Sequence, residues 1–159
     1  MSVVLALILC HGFLPEQAPF AVQQQPAAPR PVKVTAQLGP LNETNEQTLT
    51  VTLEIDKGWH IYAHKPGIPG LIGTTVTTTA EPQLQVLEVK YPEGTEVRDE
   101  VLNATYRQYA GATQIQLRLR RVISQGKRDV TPLSVLVRFQ CCNEKTCLPP
   151  QTLKLNVGK

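Results

Sequence analysis

The chain has 159 residues, 42% hydrophobic and 18% charged, with a formal net charge of +3. Setting aside an N-terminal stretch of unusual composition, about 130 residues remain, enough to bury one sizeable core and form one domain. The basic residues are scattered, not gathered into a stripe interleaved with aromatics, which argues against a nucleic-acid groove.

The opening run Val3 to Leu9 is apolar but too short to span a bilayer, and small and polar residues follow it. It reads as the hydrophobic part of an export signal, although no Lys or Arg precedes it and no clear A-x-A cleavage site follows. Cys10 follows Leu9, where lipoprotein signals want a small residue, so a lipid anchor is not expected. Residues 23–31 (QQQPAAPRP) are too rich in Gln, Pro and Ala to pack. Residues 1–31 are therefore assigned to a leader and extension, and 32–159 to the folded domain, with no transmembrane segment of its own.

From Val32 the chain follows a period of two. The first strand is expected over Val32 to Leu38. Next, Leu49, Val51, Leu53 and Ile55 alternate with Thr48, Thr50, Thr52 and Glu54, as one dry face against one wet face. Shorter strands are expected over Trp59 to Ala63 and Leu84 to Lys90. Ile115, Leu117 and Leu119 then alternate with Gln114, Gln116 and Arg118, and strands over Leu133 to Gln140 and Thr152 to Val157 close the chain. No stretch of about 12 residues keeps a helical apolar stripe. Some seven or eight strands at this spacing favour an all-β sandwich of two antiparallel sheets over a barrel.

The loop between the last two expected strands, Phe139 to Pro150, holds three of the four cysteines. Val135, Val137 and Phe139 share one parity and Cys141 continues it, so Cys141 points into the core and Cys142 away from it. Cys142 is thus the better partner for Cys147, and the two arms of a tight hairpin offer the separation a disulfide needs. Closing so short a loop would stabilise the fold by only about 2 kcal/mol, against about 5 for a loop of 100 residues. A bond that contributes so little, beside the stiff Pro149-Pro150, suits opening and re-forming. A purely structural hairpin disulfide, with Cys141 as a small buried hydrophobe, fits the residues about as well. A metal site from Cys142, Cys147, His60 and His64 is the third reading, but Cys-x4-Cys is looser than ordinary zinc spacing.

The segment Gln140-Cys141-Cys142-Asn143-Glu144-Lys145-Thr146-Cys147-Leu148-Pro149-Pro150 resembles the Q-x-C-x4-C-x-P-P signature of the N-terminal periplasmic domain of the DsbD thiol-disulfide interchange family. Upstream, Gly58-Trp59-His60-Ile61-Tyr62 looks like that family's aromatic strand, and Tyr91-Pro92-Glu93-Gly94 leads to Asp99-Glu100. The resemblance spans roughly Val32 to Val157.

It implies an immunoglobulin-like sandwich, exported to the periplasm, that carries electrons from a membrane-embedded redox domain to soluble partners by successive disulfide exchange. The expected partners are membrane-embedded or thioredoxin-like thiol-disulfide proteins, with the domain acting as a monomer and needing neither cofactor nor metal. By analogy Cys147 exchanges with the partner's sulfur and Cys142 resolves the mixed disulfide. Full-length members continue into a membrane domain and a thioredoxin-like domain, so this chain's electron donors are expected on another polypeptide. A cap loop in the family shields the cysteines; its acidic pair corresponds to Asp99 and Glu100, while Val101 stands in place of the aromatic cap. Tyr106 or Tyr109 could supply that ring instead, and the plain alternative for Asp99 and Glu100 is a solvated turn. His60 and Tyr62 share a strand face and are expected to line the cysteine pocket, with Trp59 packed inward. The competing functions are an immunoglobulin-like binding or adaptor module with a static disulfide, and a copper or zinc carrier.

Overall fold

The computed structural model describes residues 30–78, 84–100, 103–124, 127–128 and 132–158. The expected leader lies outside them but for Arg30 and Pro31. The described chain is built from strands: β1 (Val32–Leu38), β2 (Glu46–Ile55), β3 (His60–Tyr62), β4 (Thr75–Thr78), β5 (Leu84–Lys90), β6 (Thr95–Asp99), β7 (Ala104–Tyr109), β8 (Ala112–Arg121), β9 (Ile123–Ser124), β10 (Lys127–Arg128), β11 (Leu133–Phe139), β12 (Cys141–Cys142) and β13 (Gln151–Val157). Every pairing is antiparallel.

The first sheet has the order β1-β2-β8-β5. Its centre is the β2–β8 pair, where Leu49 faces Leu117 and Val51 faces Ile115. These side chains fall on one side because strand residues alternate faces, and all four are fully buried. The opposite face carries Thr48, Thr50, Gln116 and Arg118, as a half-solvated antiparallel sheet requires.

Opposite it lie a three-stranded sheet, β13-β11-β4, and a four-stranded one, β12-β3-β7-β6. The chain passes from one to the other at Gln140, between β11 and β12. β9 and β10 form a separate two-stranded ribbon, and a single hydrophobic core joins the three larger sheets: Leu49, Val51, Ile115 and Leu117 from the first, Val76, Val135, Val137 and Phe139 from the second, and Ile61, Tyr109 and Cys141 from the third. This is the expected sandwich, with its second layer divided where the cysteines begin.

The four-stranded sheet departs most from expectation. β3 covers only His60–Tyr62, because a turn at Asp56 to Trp59 precedes it, closed by Trp59 N–H donating to the Asp56 carbonyl (3.0 Å). The β6–β7 hairpin was not expected at all; Thr95–Asp99 and Ala104–Tyr109 are polar on most positions of both faces. Gly94 leads into it with φ +81°, and a Cβ there would sit 2.9 Å from the Gln108 carbonyl oxygen and 3.0 Å from Ala63 Cβ. Only glycine fits that turn without displacing backbone.

Candidate functional site

The site grows from the end of β11. Leu133, Val135, Val137 and Phe139 are buried at alternate positions, and Cys141 continues the series at 1% exposure, paired with Ile61 of β3. Burial pushes its thiol up to about 11, with Asp56 adding a smaller push, so Cys141 stays protonated and unreactive near neutrality. Cys142, one residue on, faces His60 across the β12–β3 ladder and looks into a groove.

Cys142 is bonded to Cys147, with Cα atoms 4.0 Å apart. The backbone explains the closeness. Asn143 N–H donates to the Thr146 carbonyl (2.9 Å) and Leu148 N–H to the Cys141 carbonyl (2.8 Å), so the bonds flank the pair and leave the two cysteines as a non-hydrogen-bonded pair. In antiparallel ladders that pair is the closer kind, about 4.5 Å between Cα atoms. The turn itself is set by Asn143, whose Oδ1 accepts from the N–H groups of Lys145 and Thr146, both at 2.8 Å.

The two cysteines differ in access. Cys142 is 1% exposed, held in β12, whereas Cys147 is exposed, as are Glu144, Lys145 and Thr146 before it. A nucleophile from solvent meets Cys147 first.

The groove beside them, about 760 Å³, runs across the outer face of the four-stranded sheet. His60 and Tyr62 of β3 line it, with Val97 and Asp99 of β6, Tyr106 and Gln108 of β7, Trp59, and the hairpin from Cys142 to Cys147. The Tyr62 hydroxyl lies 3.6 Å from Cys142 Sγ and 3.9 Å from Cys147 Sγ. With both sulfurs in a disulfide, only the phenol has a proton to offer. Tyr106 meets Tyr62 edge-on (ring centroids 5.6 Å apart), and His60 contacts both rings at 5.9 and 6.2 Å. Burial raises the Tyr62 phenol above its ordinary range, with Tyr106 and the Asp99 carboxylate adding to it; burial and Asp99 do the same to Tyr106. Burial lowers the His60 imidazole, favouring its neutral form. The Tyr62 phenol is thus a neutral donor beside the sulfurs.

Of the expected site residues, the structure brings Cys142, Cys147, His60, Tyr62 and Asp99 together. Glu100 lies apart: it is exposed in the turn after β6, 3.8 Å from the Arg98 guanidinium, and does not line the groove. Val101, the expected stand-in for the cap, falls outside the described residues. Of the two candidate substitute rings, Tyr106 is in the groove and Tyr109 is in the core at 3% exposure. Trp59 packs partly against the core and also edges the groove. His64 is turned away from the cysteines, its Nδ1 3.0 Å from the Thr74 carbonyl and its ring stacked on Tyr91. That undoes the four-residue metal set, and among the described residues no group of three or more His, Cys, Asp or Glu gathers to hold a metal.

Sequence reading missed Val97, Gln108, Gln140 and Asn143. Val97 and Gln108 belong to the hairpin whose alternation was too polar to register as strand. Asn143 carried a usable signal, since Asn directly before a short polar loop caps turns through its side chain. Gln140 Nε2 donates to the Leu148 carbonyl (3.3 Å), a contact that only the hairpin register reveals.

An all-β sandwich whose core strand runs into a short disulfide hairpin, one cysteine buried and the other exposed beside a tyrosine-lined groove, is the build of an immunoglobulin-like thiol-disulfide interchange domain. The family model described as "Thiol:disulfide interchange protein DsbD, N-terminal" matches residues 23–159. The chain belongs to that family. Among solved structures, the DsbD N-terminal domain of Neisseria meningitidis, in its reduced form, is similar at 16% identity and a TM-score of 0.51, covering 79% of this chain and 85% of that one. The N-terminal periplasmic domain of ScsB from Proteus mirabilis is similar at 18% identity and a TM-score of 0.54, covering 80% of this chain and 45% of that one. At these identities the likeness is one of fold. The chain spans less than half of the ScsB domain. No curated protein sequence matches it.

Proposed function

We propose that this domain, exported to the periplasm, passes reducing equivalents from a membrane-embedded or thioredoxin-like redox partner to soluble exported proteins by opening and re-forming the Cys142–Cys147 bond. The observation that carries the reading is the asymmetry of that bond: an exposed cysteine joined to a buried one at the head of a groove. Among the described residues no helix is long and apolar enough to cross a membrane, which fits a domain that meets its membrane partner from outside the bilayer.

The chemistry runs in two halves. A partner thiolate attacks Cys147 Sγ in line with the S–S bond; a mixed disulfide forms and Cys142 leaves as a thiolate. The Tyr62 hydroxyl, 3.6 Å away, donates to the sulfur as charge builds on it, until a proton is taken up. The partner's second thiolate then attacks its own sulfur in the mixed disulfide and releases Cys147. Two electrons have entered and two thiols stand where the bond was. Toward an oxidised client the order reverses: the Cys147 thiolate attacks the client disulfide, and the Cys142 thiolate attacks Cys147 Sγ to expel the client as a thiol. Cys141 takes no part.

Tyr62, Tyr106, His60 and Asp99 shape the floor against which the partner's reacting loop lies. The test is the reduction potential of the pair, measured against glutathione. A value in the range of exchange proteins, about −270 to −120 mV, is expected. A value below about −300 mV, where inert structural bridges fall, would favour the adaptor reading.

A further inference from the structure

Two amide side chains reach from the Cys142 arm of the hairpin to the Cys147 arm, one on each side of Cys147. Asn143 Oδ1 accepts from the N–H of Thr146, the residue before it, and from that of Lys145. Gln140 Nε2 donates to the carbonyl of Leu148, the residue after it. The two differ in chemistry: Asn143 must present an acceptor, because two N–H groups face it, and Gln140 must present a donor, because a carbonyl faces it. Beyond these contacts, the Cys147 arm is tied to its neighbour by the two backbone hydrogen bonds of one isolated bridge and rejoins the β11–β13 ladder only at Gln151, whereas the Cys142 arm is also anchored to β3 through two paired residues.

We propose that Gln140 and Asn143 are positioning residues that set the redox poise of the Cys142/Cys147 couple by holding the Cys147 arm in register when the bond is open. The inference rests on the exchange reading above. When the disulfide is closed it holds both arms, and the two side-chain bonds form with little further ordering. When it is open they share the cost of closing the loop with the two backbone bonds that flank the pair. Their free energy is therefore more favourable in the oxidised state. By linkage the same amount is added to disulfide stability. Removing either contact lowers the effective concentration of one thiol at the other and makes the domain a stronger oxidant.

The measured equilibrium is the oxidised domain plus two glutathione thiols giving the dithiol domain plus glutathione disulfide; two electrons and two protons pass to the domain. Asn143→Ala and Gln140→Ala are each expected to shift it about threefold to tenfold toward the dithiol, which is about 15 to 30 mV for a two-electron couple. Asn143→Asp keeps the acceptor and is expected to hold the wild-type ratio. Gln140→Glu loses the donor and is expected to behave like Gln140→Ala. A purely structural role would instead lower the melting temperature of the oxidised variants without this acceptor and donor split. Potentials of both alanine variants within a factor of two of wild type overturn the proposal, as does failure of Asn143→Asp to restore it. A wild-type potential below about −300 mV would count against the exchange reading instead, so the two failures are distinguishable.

Discussion

The molecule contains two clusters of one histidine and two tyrosines, and they are used differently. In the first, His64 and Tyr91 stack face to face at 3.7 Å, and Tyr109 is buried beside them. Every hydroxyl there is committed to backbone: Tyr109 donates to the Pro92 carbonyl (2.8 Å) and accepts from His64 N–H (3.2 Å), and Tyr91 accepts from Val76 N–H (2.9 Å). In the second, His60, Tyr62 and Tyr106 meet edge-on or tilted at the groove, and among the described residues the partners of the Tyr62 hydroxyl are the two disulfide sulfurs. The same side chains become a fastening where backbone groups need satisfying, and a reactive surface where their polar ends face a bond that can break. The adjacent cysteines repeat the contrast, Cys141 sealed in the core and Cys142 joined to the exposed Cys147.

That contrast can be broken at several points. The largest effect is expected at Cys141. Its thiol is raised to about 11 from an ordinary 9.0, so between those values the unfolded chain loses a proton that the folded one keeps. Its contribution is fully present below pH 9 and lost as pH rises to about 11, up to about 3 kcal/mol. Urea unfolding of the oxidised protein across that range should show a steeper fall for wild type than for Cys141→Ala; equal slopes would mean that the thiol is not sealed.

Tyr109→Phe comes next. It leaves the Pro92 carbonyl and the His64 N–H without their partner and should cost about 2 kcal/mol, with the rate of exchange with a dithiol unchanged. Tyr62→Phe should do the reverse, keeping stability within about 0.5 kcal/mol while slowing exchange about threefold to tenfold, the value of one hydrogen bond to a departing thiolate. If the two variants behave alike, the clusters do not differ as described. The smallest effect is expected from Asp99→Asn. Removing that carboxylate should lower the Tyr62 phenol, yet leave it above the ordinary range because burial is the larger cause. Phenolate absorbance during an alkaline titration, taken as the difference between chains with and without Tyr62→Phe, isolates it from the other three tyrosines.

Much of this was legible in the residues. β1 and β5 match the expected limits, and the parity of β2, β8 and β11 gave the core because one of their faces is dry throughout. The same parity separated Cys141 from Cys142 correctly. The site-bearing sheet was harder to read, for a physical reason. β6 and β7 carry the groove on one face, so Asp99, Tyr106 and Gln108 replace the apolar positions that would have marked them as strands. Tyr109 was a possible lid by type alone; position in the ladder decides that it is core. His64 was grouped with His60 by type as well, yet the chain turns after Tyr62 and carries it to the other cluster. Glu100 sits one residue beyond Asp99, and that residue is the difference between the end of β6 and a solvated turn.

The central claim, that exchange enters through Cys147 while Cys142 stays behind, has a direct test. The oxidised domain is mixed with a thioredoxin-like protein whose second cysteine is replaced by serine, so that the mixed disulfide cannot resolve, and the adduct is mapped by peptide mass spectrometry. The link is predicted to fall on Cys147, with Cys142 recovered as a free thiol. A link to Cys142, or no adduct at all, would contradict it.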